Sequence, residues 1–400
     1  MKAVILAAGE GSRMRPLTHT RPKVMLPIAN KPILEHLLIE AREAGIGEFI
    51  FIVGYCDAQV RDYFGQGEPW GVSISYCDQR KQLGTADAIR MTEGMLDVNF
   101  LVMNGDVLVK REDIARLASH RGNTMSVIEV KDSRGLGMVE LREGRVARIY
   151  EKTQRPPTTM ANAGLYLFTP EIFGAITATA KSPRGEYEIT DSLQLLMEMG
   201  HDITSFELKY WLDLSYPWDL LPANESLLDG SEAKNLGIVE DNVVLKGAVA
   251  IGKGTVVRAG AYIVGPVTIG EDCDIGPNCY IRPATSIGDG CHVGAAVEVK
   301  NSIVMKGSKL PHHNYVGDSV IGAGCNLGAG TKIANLRLDK KNIQVAGVDT
   351  GRRKLGAVIG DRVETGINAS INVGCMIGNN AFIGPGVVVG GVILPGAKIL

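Results

Sequence analysis

The feature that most constrains this chain is a six-residue repeat in its last 170 residues. Aliphatic side chains stand at Val239, Leu245, Ile251, Val257, Ile263, Ile269, Ile275, Ile281, Ile287, Val293 and Val299 without a break. The register returns at Ile321, Leu327 and Ile333, again at Ile359, and then at Ile371, Ile377, Ile383 and Val389, with polar Thr365 at its step. Glycine often follows the aliphatic residue, as in IGEDCD and IGPNCY. Such a period, rich in small residues that allow compact turns, suits a parallel β-helix. Cys273, Cys279, Cys291, Cys325 and Cys375 each lie four residues after a register position. They are expected to fill inner corners as thiols, with Cys273 and Cys291 stacked about 4.8 Å apart. Register slips between Val299 and Ile321, and again between Ile333 and Ile359. Both slips are read as insertions that protrude as loops. The first would hold SKLPHHNYVGD, and the second Lys340, Lys341, Arg352, Arg353 and Lys354.

Composition changes near residue 230. Of 49 glycines, 29 fall after that point, while Trp70, Trp211 and Trp218 all fall before it. The polar stretch Asn224 to Gly237 reads as the connection, giving domains 1–230 and 237–400. In the first domain a buried strand at Lys2–Ala8 precedes a helix at Pro32–Ala44, with Gly45 just past its end. Apolar runs at 49–53, 72–76 and 100–104 alternate with helical patterns, which predicts a mostly parallel sheet of α/β class, covered on both faces. Ligands of such sheets lie at the carboxyl ends of strands. A net charge of −2 gives no electrostatic case for binding nucleic acid. No apolar run is long enough for a signal peptide or a membrane span, so a cytoplasmic protein is expected. The seven cysteines contain no CxxC pair, which argues against zinc ribbons and redox motifs.

The chemistry of the first domain centres on LAAGEGSRMRPLTHTRPKVMLPI, residues 6–28. A glycine-rich turn directly after a strand lets backbone N–H groups approach phosphate closely. The turn lacks the GK[ST] of a Walker A loop, and Arg13 replaces the third glycine of a dinucleotide fingerprint. Arg13 and Lys23 supply two cations able to neutralise a pyrophosphate leaving group.

This string resembles the signature of sugar-1-phosphate nucleotidylyltransferases. The resemblance implies a Rossmann-like domain that binds nucleotide through Leu6, Ala7, Ala8, Gly9 and Gly11, with Arg13 and Lys23 stabilising the transition state. Gln79 and the segment Gln82-Leu83-Gly84-Thr85 resemble the base-reading part of the pyrimidine-specific branch, with Gln79 facing the base edge and Gly84 and Thr85 beside it. Asn104-Gly105-Asp106 resembles the metal-binding turn, and Trp211-Leu212-Asp213 the segment supplying a second carboxylate. Asp106 and Asp213 would together hold one Mg²⁺. Gly137, Glu151, Lys152 and Asn162 resemble the contacts to a sugar 1-phosphate.

The hexapeptide domain resembles a left-handed parallel β-helix, and specifically the acetyltransferase half of GlmU-type enzymes. Whole, the chain most resembles their archaeal relatives. That resemblance implies acetyl-CoA as a substrate and His312 as the base for acetyl transfer to an amino sugar. Arg282 and Lys300 would hold the sugar's phosphate, and Tyr315, Asn326 and Asn335 would complete the site. It also implies a homotrimer with acyl sites between subunits. The stretch after Asn335 is longer than in bacterial relatives, and the sequence stops at Leu400 without their basic C-terminal extension, so fewer electrostatic contacts to coenzyme A are expected. The implied substrates are UTP or dTTP, with glucosamine or galactosamine 1-phosphate. One alternative keeps the nucleotidylyltransferase and makes the β-helix an assembly module, as in ADP-glucose and GDP-mannose pyrophosphorylases. Another, an inactive sensor, is disfavoured by the presence of Arg13, Lys23, Asp106 and Asp213.

Overall fold

The computed structural model describes every residue except 134 and 152–154. It divides into two compact units: Met1–Glu10, Pro22–Met25 and Ile33–Asp213 form the first, and Gly11–Arg21, Leu26–Pro32 and Leu214–Leu400 the second. The glycine-rich signature is therefore shared between them.

The first unit is built on a nine-stranded sheet in the order Ser73–Asp78, Glu48–Val53, Lys2–Leu6, Phe100–Asn104, Met160–Phe168, Thr124–Glu129, Thr204–Glu207, Arg145–Tyr150, Met138–Arg142. Its first four strands run parallel. Beyond them the pairing is antiparallel, except where Thr204–Glu207 joins Thr124–Glu129. Parallel pairing thus belongs to the half that carries the glycine-rich turns. The other half can be antiparallel because a tight turn suffices there: Glu143 and Gly144 both take positive φ and join two neighbouring strands. Ala3, Val4 and Ile5 are fully buried at the centre of the sheet. The helix Ile33–Glu43 covers one face and stops in a Schellman motif, with Gly45 at φ 93° and Ile46 N–H donating to Ala41 O.

The second unit contains three parallel sheets of nine, nine and eight short strands, the three faces of a parallel β-helix. Ile263 stacks on Ile281, Ile269 on Ile287 and Ile275 on Val293, eighteen residues per coil. These side chains form one continuous buried column. The five corner cysteines are buried free thiols. Cys273, Cys291 and Cys325 donate to the carbonyls of Gly288, Met305 and Gly360. Burial pushes the Cys291 and Cys325 thiols up to about 12. Polar Thr365 is tolerated inside because its hydroxyl meets Thr331 Oγ1 at 2.7 Å and accepts from Gly328 N–H.

The first slip in register is not an insertion. Ile303–Val304, Lys309–His312 and Tyr315–Gly317 are regular strands. Val299 pairs with Val316 and Ile287 with Val304, so these coils are seventeen residues long. Two corners have each lost one residue. Asn301 and Asp318 occupy them in left-handed conformation, φ 43° and 51°. Asp318 N–H donates to Lys300 O, which stacks one short corner on the other. The segment SKLPHHNYVGD therefore runs along the coils, with Leu310 and Val316 in the core. The second slip is larger than its phase suggests. Ile333 pairs with Ile371 and Ile321 with Ile359, so residues 334–356 leave the coil as an excursion. Within it Gln344–Val345 and Val348–Asp349 form a small antiparallel pair.

A protruding loop and a core strand respond differently to truncation. Leu310→Ala is expected to lower unfolding stability by about 2–5 kcal/mol, as for buried leucines generally. A loop position would give about 0.5 kcal/mol or less. Chemical denaturation of the variant distinguishes the two.

Candidate active sites

In the first unit the strand Lys2–Leu6 runs directly into Ala7-Ala8-Gly9. Ala7 N–H donates to Ile52 O, Ala8 O accepts from Tyr55 N–H, and the Gln82 side-chain amide also donates to Ala8 O at 3.0 Å. The turn Asn104-Gly105-Asp106 passes so close that a Cβ on Gly105 would stand 2.8 Å from Leu6 O. Only glycine lets the two strand ends lie this near. Asp106 accepts the Lys23 ammonium, whose side chain is only 10% exposed. The strand Trp211–Asp213 pairs antiparallel with Val107–Val109, setting Asp213 opposite Val107. Two carboxylates thus sit on adjacent strand ends, a hard oxygen donor set that fits a divalent cation such as Mg²⁺. Trp211 is fixed by its indole N–H on Ala163 O at 2.9 Å.

Gln79 is 6% exposed. Its amide nitrogen donates to Gly84 O and to Asp87, both at 3.0 Å. What this side chain can offer a base is therefore its carbonyl oxygen. Gly84 has φ 106°, and a Cβ there would stand 2.4 Å from Tyr187 O. The Thr85 hydroxyl accepts from Ile189 N–H and so ties two helices together.

Gly137, Glu151 and Asn162 come together in the same unit. Asn162 N–H donates to Gly137 O, and a Cβ on Gly137 would approach Glu151 Oε2 to 3.0 Å. The Asn162 amide hydrogen-bonds the buried Tyr166 hydroxyl at 2.7 Å. Lys152 lies outside the described residues. Three neighbours escaped the sequence reading: Arg184 bridges Glu151 and Glu188, and Thr190 donates to Glu151. Burial, followed by the charge of Glu188, raises the Glu151 carboxyl above its ordinary range despite Arg184. No local pattern marks Arg184, Glu188 or Thr190, because the chain around the helix Ile189–Glu198 reaches the site only through tertiary packing.

In the second unit Arg13 is exposed, its guanidinium 5.6 Å from the centre of the Tyr216 ring. On the β-helix, Tyr280–Ile281, Glu298–Lys300, Tyr315–Gly317 and Lys332–Ile333 are successive rungs of one sheet. Arg282 follows the first rung and donates to Glu298 Oε1 at 2.8 Å. The Asp318 side chain, 3% exposed, accepts Lys300 Nζ at 3.0 Å, Asn301 Nδ2 at 2.8 Å and Asn335 Nδ2 at 2.5 Å. Asn335 also donates to the Tyr315 hydroxyl. Burial raises the Tyr315 phenol above its ordinary pKa, and the charges of Glu298 and Asp318 add to this. Arg282, Lys300, Tyr315 and Asn335 are thus gathered on one face, organised by two acids the sequence reading omitted. His312 and Asn326 are exposed on strands of the neighbouring sheet, where Asn326 pairs with Lys309. Beside Asp318 opens a cavity of about 600 Å³ lined by Leu336, Lys340, Arg352, Arg353 and Lys354.

Residues 2–230 match the nucleotidyl transferase family, and residues 263–368 match the GMPPB C-terminal domain. The chain is 41% identical to a bifunctional protein GlmU of Methanococcus maripaludis, covering 96% of this chain and 93% of that one. It is 40% identical to a bifunctional sugar-1-phosphate nucleotidylyltransferase/acetyltransferase of Sulfurisphaera tokodaii, covering 97% of both. A Bacillus anthracis structure described as a glucose-1-phosphate thymidylyltransferase, solved with a sucrose, superposes with a TM-score of 0.52 at 28% identity, covering 56% of this chain and 94% of that one.

The raised Glu151 carboxyl has a consequence for stability. Folding favours its protonated form, so its contribution is complete below the ordinary carboxylate pKa and fades as pH rises through the higher folded value. Glu151→Gln, a neutral isostere, is expected to lessen the loss of Tm between acid and neutral pH. Thermal melts of both proteins across that range measure it.

Proposed function

The chain belongs to the family of bifunctional sugar-1-phosphate nucleotidylyltransferase/acetyltransferases, and from that premise we propose that it N-acetylates glucosamine 1-phosphate or galactosamine 1-phosphate and couples the product to UTP or dTTP. Residues 1–230 would carry the nucleotidylyl transfer and residues 237–400 the acetyl transfer. No helix among the described residues is long and apolar enough to cross a membrane. A cytoplasmic homotrimer is part of the same reading.

In nucleotidylyl transfer an oxygen of the sugar phosphate attacks the α-phosphorus in line, and pyrophosphate leaves. The backbone from Leu6 to Gly11 receives the triphosphate. Arg13 and Lys23 offset the charge that develops on the leaving group, and nucleotide phosphate competes with Asp106 for the Lys23 ammonium. Asp106 and Asp213 would hold Mg²⁺, which would supply positive charge toward the phosphates. The Gln79 carbonyl would accept from the N3–H that uracil and thymine share, with Gly84 and Thr85 shaping the loop. Gly137, Glu151, Lys152 and Asn162 would receive the sugar and its phosphate.

In acetyl transfer His312 takes a proton from the sugar ammonium, and the freed amine attacks the thioester carbonyl. The new N–C bond forms as the C–S bond breaks, and the proton that nitrogen sheds passes to the sulfur. Coenzyme A leaves as its thiol, while His312 returns its own proton to solvent. Arg282 and Lys300 would hold the phosphate, while Tyr315 and Asn335 would hold hydroxyls or the amine, with Asn326 counted in the same sugar-phosphate set. The cations around residues 340–354 suit the phosphates of coenzyme A. The observation that carries this half is the face on which Asp318 gathers Lys300 and Asn335 beside Tyr315. A scaffold alone has no use for such a cluster. The match of residues 263–368 to the GMPPB C-terminal domain favours a second reading, in which the β-helix serves assembly.

Two substitutions separate the activities. His312→Ala is expected to cut thiol release from acetyl-CoA, with glucosamine 1-phosphate as acceptor, by about 10²–10⁴-fold. It should spare pyrophosphate release. Asp106→Ala should do the reverse. No thiol release from the wild type with either amino sugar would leave the β-helix a scaffold, and loss of both activities in Asp106→Ala would overturn the two-site reading.

A further inference from the structure

The segment 11–32, which contains most of the signature and the four residues after it, is held at two places, one on each side of Lys23 in sequence. Before it, the Arg21 guanidinium pairs with the Asp361 carboxylate, the two side chains being 13% and 3% exposed. The same oxygen of Asp361 accepts the Thr20 hydroxyl at 2.5 Å, and its other oxygen accepts Ala323 N–H at 2.8 Å. Arg21 also reaches Met305 Sδ at 3.0 Å. After Lys23, Ala29 N–H donates to the side-chain oxygen of Asn224, a fully buried residue on the helix Leu220–Leu228. Asn224 in turn donates to Ala284 O and accepts the Ser286 hydroxyl, both β-helix groups. Asn30 adds a bond from its amide to Ile287 O at 2.7 Å. The chain between these anchors, Pro22–Met25, belongs to the other compact unit and carries the lysine that pairs with Asp106.

We propose that the β-helix positions the phosphate-binding loop for nucleotidylyl transfer, with Asp361 and Asn224 as positioning residues that never touch substrate. The proposal rests on the reading of Arg13 and Lys23 as the cations of that reaction. A buried ion pair is a poor source of net stability, because desolvation offsets the attraction. Its geometry is nonetheless strict, since an uncompensated charge at either end is costly. Asp361 is saturated by Arg21, Thr20 and Ala323, so it fixes one loop conformation rather than offering a surface to a ligand. A segment held at both ends keeps the Arg13 guanidinium in one place, and small displacements of such a group cost rate. On this account the β-helix contributes to the first reaction whether or not it carries out the second.

The test uses the full chain. Asp361→Asn and Arg21→Met, singly and together, are compared with the wild type for pyrophosphate release, for thiol release from acetyl-CoA, and for amide hydrogen exchange across residues 11–32. The expected result is a fall in kcat for pyrophosphate release on the order of 10²-fold. Thiol release should stay within about twofold, and the double variant should be no worse than the poorer single one, as for residues acting through one contact. Exchange should speed up within residues 11–32 and not across the sheet of the first unit. Unchanged exchange in that segment overturns the proposal whatever the activities. So does a parallel loss of both reactions, or an unaltered kcat with a loosened loop. Should Asp361→Asn fail to fold, Ser286→Ala removes one bond to Asn224 and is read by the same exchange and kcat criteria. If the wild type releases no pyrophosphate with any nucleotide, the nucleotidylyltransferase reading fails, while exchange still decides whether the β-helix orders the loop.

Discussion

Everything in the β-helix depends on each short strand hydrogen-bonding the same strand one coil later. That pairing fixes which residues point inward, so a coil can change length only at its corners. Where a corner loses one residue, the next aliphatic side chain still has to fall into the column, as Val304 does after Ile287. The cost is borne by the corner itself, which must adopt left-handed backbone at Asn301 and Asp318. Asparagine and aspartate tolerate that conformation better than most residues. Their side chains are then left side by side, joined by a bond of 2.8 Å. The polar cluster around Lys300 and Asn335 is thus anchored on the corners that keep the coils in register.

The first unit solves a related problem with glycine. Strand ends must converge before a loop can present backbone N–H groups to phosphate. Gly105 allows this by letting a neighbouring turn touch Leu6 O, and Gly84 by letting Tyr187 pack against its backbone. The first strand is buried and paired on both sides, so the loop that follows it starts from a fixed point.

Much of this was legible in the sequence, and the failures have physical causes. The hexapeptide period identified the β-helix because inward positions must be apolar. The shortened corners were misread as an insertion because a one-residue loss shifts the phase of everything after it. The signal was nevertheless present: Val304, Leu310 and Val316 keep the six-residue step, displaced by one from Val299. The carboxylates Asp106 and Asp213 could be named from motifs, but their adjacency follows only from the pairing of Asp213 with Val107. Gln79 could be singled out from its motif, whereas the engagement of its amide by Asp87 could not, since a turn and the start of a helix separate the two. Glu298 and Asp318 carry no local sequence signal, because their partners Arg282 and Asn335 lie 16 and 17 residues away along the chain. In the fold they orient the cations.

The same physics explains why aspartate recurs beside three of the cations. Lys23 faces Asp106, Lys300 faces Asp318, and Arg21 faces Asp361. A buried cation without a partner would be costly, and apolar packing would serve stability equally well. What the pairs supply is direction, since a carboxylate fixes where an otherwise mobile side chain points. They differ in what the carboxylate leaves open. Asp106 is partly exposed, so its pair with Lys23 stays open to solvent on one side. Asp318 is buried but shares its oxygens with two side-chain amides, holding Lys300 at the edge of a basic cavity. Asp361 is buried and saturated on both oxygens, so Arg21 has nothing to exchange for and acts as a tether. Burial and partner count, more than the identity of the pair, set how far each cation stays open to another partner.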